Sequence, residues 1–472
     1  MARLSICELT ILELSKMIRD RHVSCLEVIE EYLQRIRKYN SKINAYITID
    51  EKGALKIAHK LDNLIKEGKY LGPLHGIPIA IKDLIDVKGL PTTCGSKNFA
   101  SKDAGNFALK DARLVDKLRK SGAIIIGKTN CHEFGLGATN KNESYGDCKN
   151  PWDLSRISGG SSGGSAVAVS AGLCAASIGT DTGGSIRIPS SLCGVVGLKT
   201  TYGAVSLDGV VPLSPSLDTA GPITRTSHDA KIIFKVISKN YYEKSNRTLN
   251  RTMPKITLGI LENYTAYSSK EVITIVKKLL RKLENREVTL KSVNIRNFED
   301  INVVTNIIML SEAAASHDKY LRYNGISFYT DTELVYRLLT GRLIPAYVYV
   351  NALKLRKIFQ TEIINILKAF DALICPTTPV PAPRIDESII DIEYEFGKKR
   401  LDVTTALTIF TRLANLIGVP ALTVPCGLTS NGLPIGIQLI GKKYSEWQLL
   451  HIASMFEDIT GKFLPPMLQN NT

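Results

Sequence analysis

No run of this 472-residue chain approaches the ~18 uninterrupted apolar residues that cross a bilayer, which argues against a membrane-spanning helix. Its opening residues, Met1-Ala2-Arg3-Leu4-Ser5-Ile6-Cys7, pass into a polar amphipathic stretch without the apolar core of a secretory leader. The nine cysteines include no Cys-x-x-Cys pair, and an odd, scattered set predicts reduced thiols in a cytoplasm rather than a disulfide scaffold. His132-Glu133 lacks the second histidine of a His-Glu-x-x-His helix, so no zinc site is expected. Internal repeats and low-complexity tracts are missing too, which removes repeat arrays from consideration.

What is present is ordinary for a globular protein, at 44% apolar and 22% charged residues. Length alone suggests two to four domains, although large α/β enzymes often keep one continuous sheet. The net charge of +15 is uneven, because residues 231–300 hold fifteen Lys and Arg against seven Asp and Glu. Within it, Lys231, Lys235, Lys239, Lys244, Arg247, Arg251, Lys255, Lys277, Lys278, Arg281 and Lys282 have few interleaved glycines or aromatics. A solvated face explains such a run; a surface for RNA or an acidic partner is the competing reading.

Capping boxes at Thr10/Glu13 and Ser24/Glu27 predict two opening helices, the second burying Val28, Ile29, Tyr32, Leu33 and Ile36. Strands are expected at Ile77 to Ile81 and at Ala123-Ile124-Ile125-Ile126, whose triple isoleucine reads as burial on both faces of a parallel sheet. Small residues from Ser165 to Gly172 predict a helix lying very close to the sheet, with Cys174 to Ile178 as the next strand. Long helical patterns cover 302–323 and 332–369, and a buried strand ends at Pro376. Val419 to Gly427 and Leu433 to Gly441 look like paired strands around a Ser-Asn-Gly turn, and 382–400 reads as a surface excursion.

Three segments carry chemistry. Gly159-Gly160-Ser161-Ser162-Gly163-Gly164-Ser165 is followed some twenty residues later by Gly179-Thr180-Asp181-Thr182-Gly183-Gly184-Ser185-Ile186-Arg187. Upstream, Gly76-Ile77-Pro78-Ile79-Ala80-Ile81 leads into Lys82. Glycines let successive N–H groups converge on one spot, as a developing oxyanion requires, and a serine beside them is a candidate nucleophile if a base takes its proton. Alternation puts Ile77, Ile79 and Ile81 on one face of their strand, leaving Pro78, Ala80 and Lys82 on the other. An ordinary lysine is protonated at neutral pH, but burial disfavours the charge, so a desolvated Lys82 can act as a base. Taken alone, a strand-end lysine is more often a surface charge.

These residues resemble the amidase signature family. The matching pieces are Gly76-Ile77-Pro78 with Lys82-Asp83, Gly127-Lys128-Thr129-Asn130 with Glu133-Phe134, Asn150-Pro151-Trp152, Gly159 to Ser165, Asp181 to Arg187, Gly194 to Thr200, Ser216 to Pro222, Gly418 to Ala421 and Leu433 to Gly436. The resemblance spans nearly the whole chain. It implies the α/β amidase signature fold, a mixed central β-sheet flanked by helices on both faces. One domain would cover 1–472, with N-terminal helices in 1–60, the signature core in 61–225, and the remaining sheet, helices and substrate-pocket segments in 226–472. Carried over residue by residue, Ser185 is the nucleophile, Ser161 the bridging serine with a cis backbone and Lys82 the base. The N–H groups of Thr182, Gly183, Gly184 and Ser185 are the expected oxyanion donors. Ser162, Asp181 and Arg187 would support the site, the last two as an internal ion pair holding the turn. No metal or organic cofactor is implied. The implied reaction cleaves a carboxamide to the acid and ammonia or amine through an acyl-serine.

Blander roles suit other residues: Ser165 as loop support, Lys128 and Lys199 as structural groups, His132 as a packing residue, and Cys174 and Cys193 as core. Two further enzyme readings compete. Gly159 to Gly163 and Gly160 to Gly164 each fit Gly-x-Ser-x-Gly, the nucleophile elbow of α/β-hydrolase esterases, which needs a histidine downstream; only His228, His317 and His451 are available. Within the family, the glutaminase component of the glutamyl-tRNA(Gln)/aspartyl-tRNA(Asn) amidotransferase shares these motifs, works with partner subunits on tRNA and uses glutamine. That subgroup carries an acid shortly before Asn-Leu-x-Gly, whereas Thr408-Ile409-Phe410-Thr411-Arg412-Leu413-Ala414 precedes Asn415 here, and the nearest upstream acid is Asp402. An amino acid's ammonium would lack compensation. The departure favours a stand-alone cytoplasmic amidase acting on a small, less polar amide, with a homodimer as the candidate assembly, over an amidotransferase component or a non-catalytic scaffold. Pocket segments are expected in 300–350 and 380–412, where Tyr320, Tyr323, Phe328, Tyr329 and Tyr347 are candidate lining or core.

Overall fold

In the computed structural model, which describes residues 5–102, 107–238, 256–284, 286, 288–394 and 397–469, both capping boxes form. Thr10 Oγ1 accepts from the Glu13 N–H at 3.2 Å and Ser24 Oγ from the Glu27 N–H at 3.1 Å, opening helices Ile11–Arg19 and Cys25–Ile43. Each box satisfies N–H groups that would otherwise lack partners at the helix start. The stripe Val28, Ile29, Tyr32, Leu33 and Ile36 is buried as its spacing predicts.

The strands in chain order are β1 (Tyr46–Ile49), β2 (Pro78–Lys82), β3 (Ile124–Thr129), β4 (Lys149–Asn150), β5 (Asp153–Ile157), β6 (Ala176–Asp181), β7 (Val196–Lys199), β8 (Thr219–Thr224), β9 (Thr257–Leu261), β10 (Thr289–Val293), β11 (Ala372–Pro376), β12 (Ile389–Tyr394), β13 (Gly397–Asp402), β14 (Ala421–Leu428) and β15 (Pro434–Ile440). Among the described residues, eleven of them form one sheet in the order β1-β3-β2-β6-β8-β7-β14-β15-β11-β9-β10. The sheet is mixed: β3-β2-β6 and β11-β9-β10 run parallel, and the other neighbours are antiparallel. Flanking helices make this an α/β fold. Every residue of β2 and β3 is buried, so both faces of these strands are covered, and each buried isoleucine contributes roughly 1.5–3 kcal/mol. One contiguous apolar cluster runs from Cys7 to Phe456, and a smaller one lies under the β12–β13 hairpin.

Several expectations change in detail. The pattern over 332–369 is two helices, Thr332–Leu343 and Ala346–Leu367, because Pro345 offers no N–H and disfavours helical backbone before it. The small-residue helix is Gly163–Ser170 and the strand after it is Ala176–Asp181, each displaced by about two residues. The 382–400 excursion holds most of the β12–β13 hairpin, which ends at Asp402. Of the basic region, Lys231, Lys277, Lys278, Arg281 and Lys282 sit on exposed positions of helices Ser227–Ile237 and Lys270–Glu284. Lys239, Lys244, Arg247, Arg251 and Lys255 lie outside the described residues. No described helix is long and apolar enough to cross a membrane.

Candidate active site

The parallel pairing of β2 with β6 sets Ile79 beside Ala176 and Ile81 beside Ile178, so both strands end at the same sheet edge. β2 ends there in Lys82, and β6 runs through Thr180 and Asp181 into the turn 182–186. Ser161 and Ser162 immediately precede helix Gly163–Ser170, which packs across β6 and β2. Gly164 makes that approach possible, since a Cβ there would stand 2.4 Å from the Asn130 carbonyl oxygen. Crevices beyond the carboxyl ends of parallel strands commonly hold ligands.

Lys82 is fully buried; its Nζ donates to Ser161 Oγ at 2.7 Å and to Thr180 Oγ1 at 2.8 Å. Burial brings its pKa down to about 8, against the smaller opposing influence of Cys131, Asp181 and Asp218. The Gly160–Ser161 peptide is cis. Ser162 bridges the two serine segments: its N–H donates to the Ser185 carbonyl at 3.1 Å and its Oγ to the Thr180 carbonyl at 3.1 Å. Ser185 is the half-buried member of an otherwise buried run from Asp181 to Pro189.

Asp181 holds the turn. Its carboxylate accepts from the Gly184, Ile186 and Arg187 N–H groups, from the Arg187 guanidinium through Nε at 3.0 Å and Nη2 at 2.9 Å, and from Asn415 Nδ2 at 2.9 Å. Burial opposes the carboxylate charge, but the Arg187 guanidinium outweighs it and holds the group well below the usual range. Gly184 takes φ +134°, and a Cβ there would meet Thr411 Oγ1 at 2.3 Å. One sequence expectation needs correction here. The Gly184 N–H is spent on Asp181 Oδ1 at 2.9 Å, because the carboxylate closes the turn, so it is not open to an oxyanion. The N–H groups of Thr182, Gly183 and Ser185 have no acceptor among the described residues. Thr182 is oriented in turn by Oγ1 donating to Asp218.

A cavity of about 30 Å³ adjoins Ser185, lined by the apolar Leu136, Ala138, Ile188, Leu213 and Met309 together with Thr182, Gly183, Thr404, Thr408, Arg337 and Arg412. Met309, Arg337, Thr404 and Thr408 come from the segments expected to build the pocket, 300–350 and 380–412, as does Arg412. The tyrosines are not part of it. Phe328 and Tyr329 are buried among Phe99, Phe134 and His317, while Tyr323 and Tyr347 are 87% and 70% exposed. Aromatic spacing could not distinguish a pocket from a core cluster.

The blander assignments describe what the remaining groups touch. Ser165 Oγ meets Thr129 Oγ1, Lys128 pairs with buried Asp83 at 3.1 Å, and Lys199 Nζ donates to the Thr200 carbonyl. His132 bonds Asp331, which caps helix Thr332–Leu343. Burial raises the Cys174 thiol to about 12 and Cys193 well above its usual value. No histidine side chain hydrogen-bonds Ser161 or Ser185 among the described residues: His228 and His451 face solvent, His317 bonds Tyr329, and His132 reaches Ser161 only through its backbone N–H, which donates to the Ser161 carbonyl at 3.2 Å. The esterase-type arrangement is therefore not formed. Sequence reasoning does not single out Thr180, Asp218, Arg337 or Met309. Arg412 alone leaves a signal, as a lone charge in the apolar run from Ile409 to Ile417.

Comparison with known proteins identifies the family and the backbone. The family described as Amidase matches residues 27–450. The glutamyl-tRNA(Gln) amidotransferase A-subunit of Geobacillus thermodenitrificans is 35% identical over 497 aligned positions, covering 97% of this chain and 98% of the relative. A crystal structure of an amidase superposes with a TM-score of 0.86 at 33% identity, covering 96% of this chain and all of that one. The glutamyl-tRNA(Gln) amidotransferase A-subunit of Thermotoga maritima superposes with a TM-score of 0.77 at 32% identity, covering 99% of both. With a family match over most of its length and a backbone shared with amide-cleaving enzymes, the chain belongs to the amidase signature family of amide-bond hydrolases.

Proposed function

We propose that the chain is a stand-alone amidase in which Ser185 attacks a carboxamide, Ser161 relays the proton and Lys82 receives it. The carrying observation is the fully buried Lys82 bonded to Ser161 at 2.7 Å, beside the half-open Ser185. With a pKa near 8, roughly a tenth of Lys82 is neutral at pH 7. Its free amine takes the Ser161 proton while Ser161 takes that of Ser185, and the Ser185 oxygen adds to the carbonyl carbon. The N–H groups of Thr182, Gly183 and Ser185 receive the oxyanion, each donor worth a few kcal/mol. The tetrahedral species collapses as the same proton returns through Ser161 to the leaving nitrogen, because an amide cannot expel an anionic nitrogen. Water, deprotonated along the same route, then cleaves the acyl-serine to the carboxylic acid.

The stand-alone reading is supported by the pocket wall, which carries no carboxylate among its described lining residues; Thr408 and Arg412 sit there instead. A free amino acid's ammonium meets no carboxylate in that wall; Asp218 lines the adjoining crevice, where it already accepts from Thr182 Oγ1 and the Leu213 and Ser214 N–H groups. The second reading, an amidotransferase component dependent on partner subunits and tRNA, is favoured by the 35% identity to the Geobacillus protein. The single continuous sheet supports one domain, and nine free buried cysteines support a reducing cytoplasm.

Ammonia release by the purified chain alone separates the two, with glutamine and simple primary amides compared and Ser185→Ala as control. Turnover of simple amides, lost in Ser185→Ala, is the expected result. Activity on glutamine that needs partner proteins and charged tRNA would assign the chain to the amidotransferase instead.

A further inference from the structure

Arg412 opens helix Arg412–Ile417 and is only 7% exposed, yet no described residue accepts a hydrogen bond from its guanidinium, and Nε is both shielded and unpartnered. A buried, unpaired cation is costly, so its retention needs a counterpart. The side chain lines the cavity that reaches Ser185, and a Cβ on Gly183 would touch its Cγ at 3.8 Å. It therefore stands directly behind the turn that offers its N–H groups to the oxyanion. Arg337 enters the same cavity from helix Thr332–Leu343, and its charge opposes that of Arg412. Arg337 is partly compensated by Glu333 on its own helix. The acid whose field reaches Arg412 is Asp402, but its carboxylate caps helix Val403–Thr408 by accepting the Thr405 N–H at 2.9 Å.

We propose that Arg412, with Arg337 beside it, forms an anion subsite, and that the substrate is a short amide whose acyl part carries a carboxylate or comparable anion. This rests on the amidase reading above and narrows its substrate. It revises the expectation of a less polar amide: the missing acid excludes an ammonium, while the two guanidinium groups favour a negative charge. A carboxylate in the cavity supplies the counter-charge that no described residue gives the Arg412 guanidinium and offsets the repulsion between the two arginines.

The test compares succinamate with its uncharged methyl ester, which keeps the amide and the spacer, in wild type, Arg412→Met and Arg412→Lys. In wild type, kcat/KM for succinamate exceeds that for the ester by roughly 10- to 100-fold, the range of a charge-assisted contact. In Arg412→Met that ratio collapses toward one, chiefly through KM, and Arg412→Lys retains part of it. A wild-type ratio near one, or a ratio unchanged in Arg412→Met, overturns the subsite. Thermal melting of both variants checks folding, and the Lys variant keeps the comparison decisive if the Met variant does not fold. Succinate binding by calorimetry to the Ser185→Ala chain, with and without Arg412→Met, separates the two proposals. Binding that depends on Arg412 without hydrolysis of any amide refutes the amidase reading alone. Hydrolysis without anion preference refutes the subsite alone.

Discussion

The pH dependence of Lys82 is the sharpest consequence of the geometry. Burial takes its pKa from 10.5 to about 8, which corresponds to about 3 kcal/mol against the charged form in the fold. If the neutral amine is the base, kcat/KM for an amide whose chemistry limits turnover rises about tenfold from pH 6 to pH 7 and reaches half its plateau near pH 8. Lys82→Met removes this dependence together with at least roughly a hundredfold of rate. The same shift governs stability. Between about pH 8 and 10.5 the unfolded lysine binds a proton that the folded one does not, so wild-type stability rises with pH across that window. Below it, Lys82→Met relieves about 3 kcal/mol but leaves Ser161 Oγ and Thr180 Oγ1 without a donor, at about 1 kcal/mol each. The variant is then about 1 kcal/mol more stable than wild type at pH 7 and about 2 kcal/mol less stable above about pH 10.5. Ammonia-release rates at fixed ionic strength and urea titrations at pH 7 and pH 10.5 read both arms. A flat rate between pH 6 and pH 8, or a stability difference that keeps its sign, would refute the reasoning.

Other substitutions probe the same turn. Asp181→Ala strands the buried Arg187 cation and frees the Gly184, Ile186 and Arg187 N–H groups, so a loss of roughly 3–5 kcal/mol is expected in a urea titration. Gly184→Ala drives a Cβ into Thr411 from a backbone that side chains avoid; a lower melting temperature and loss of amide hydrolysis are expected, and a wild-type melt would contradict the packing. Ser185→Ala abolishes turnover while shifting stability by about 0.5 kcal/mol or less, since it removes one half-exposed hydroxyl.

Much of the architecture was readable locally. The capping boxes, the isoleucine strands β2 and β3 and the β14–β15 pair follow from patterns within a few residues of each other. The break at Pro345 was written in the sequence as well, but continuous apolar periodicity on both sides masked it. The Lys82, Ser161 and Ser185 segments stood out because glycine-flanked serines and a strand-end lysine are unusual together. Aromatic residues at 320–347 carried no such information, because pocket and core select the same side chains.

The sequence by itself determined most of the elements, the family and the residues worth testing, because each is encoded in short spacing and composition. Tertiary structure decided which groups are free. Asp181 consumes the Gly184 N–H, Thr180 shares Lys82 with Ser161, and Arg412 reaches the cavity from a helix more than two hundred residues beyond Gly183. Hydrogen-bond satisfaction and burial depend on what the rest of the chain brings alongside, and no local pattern holds that information.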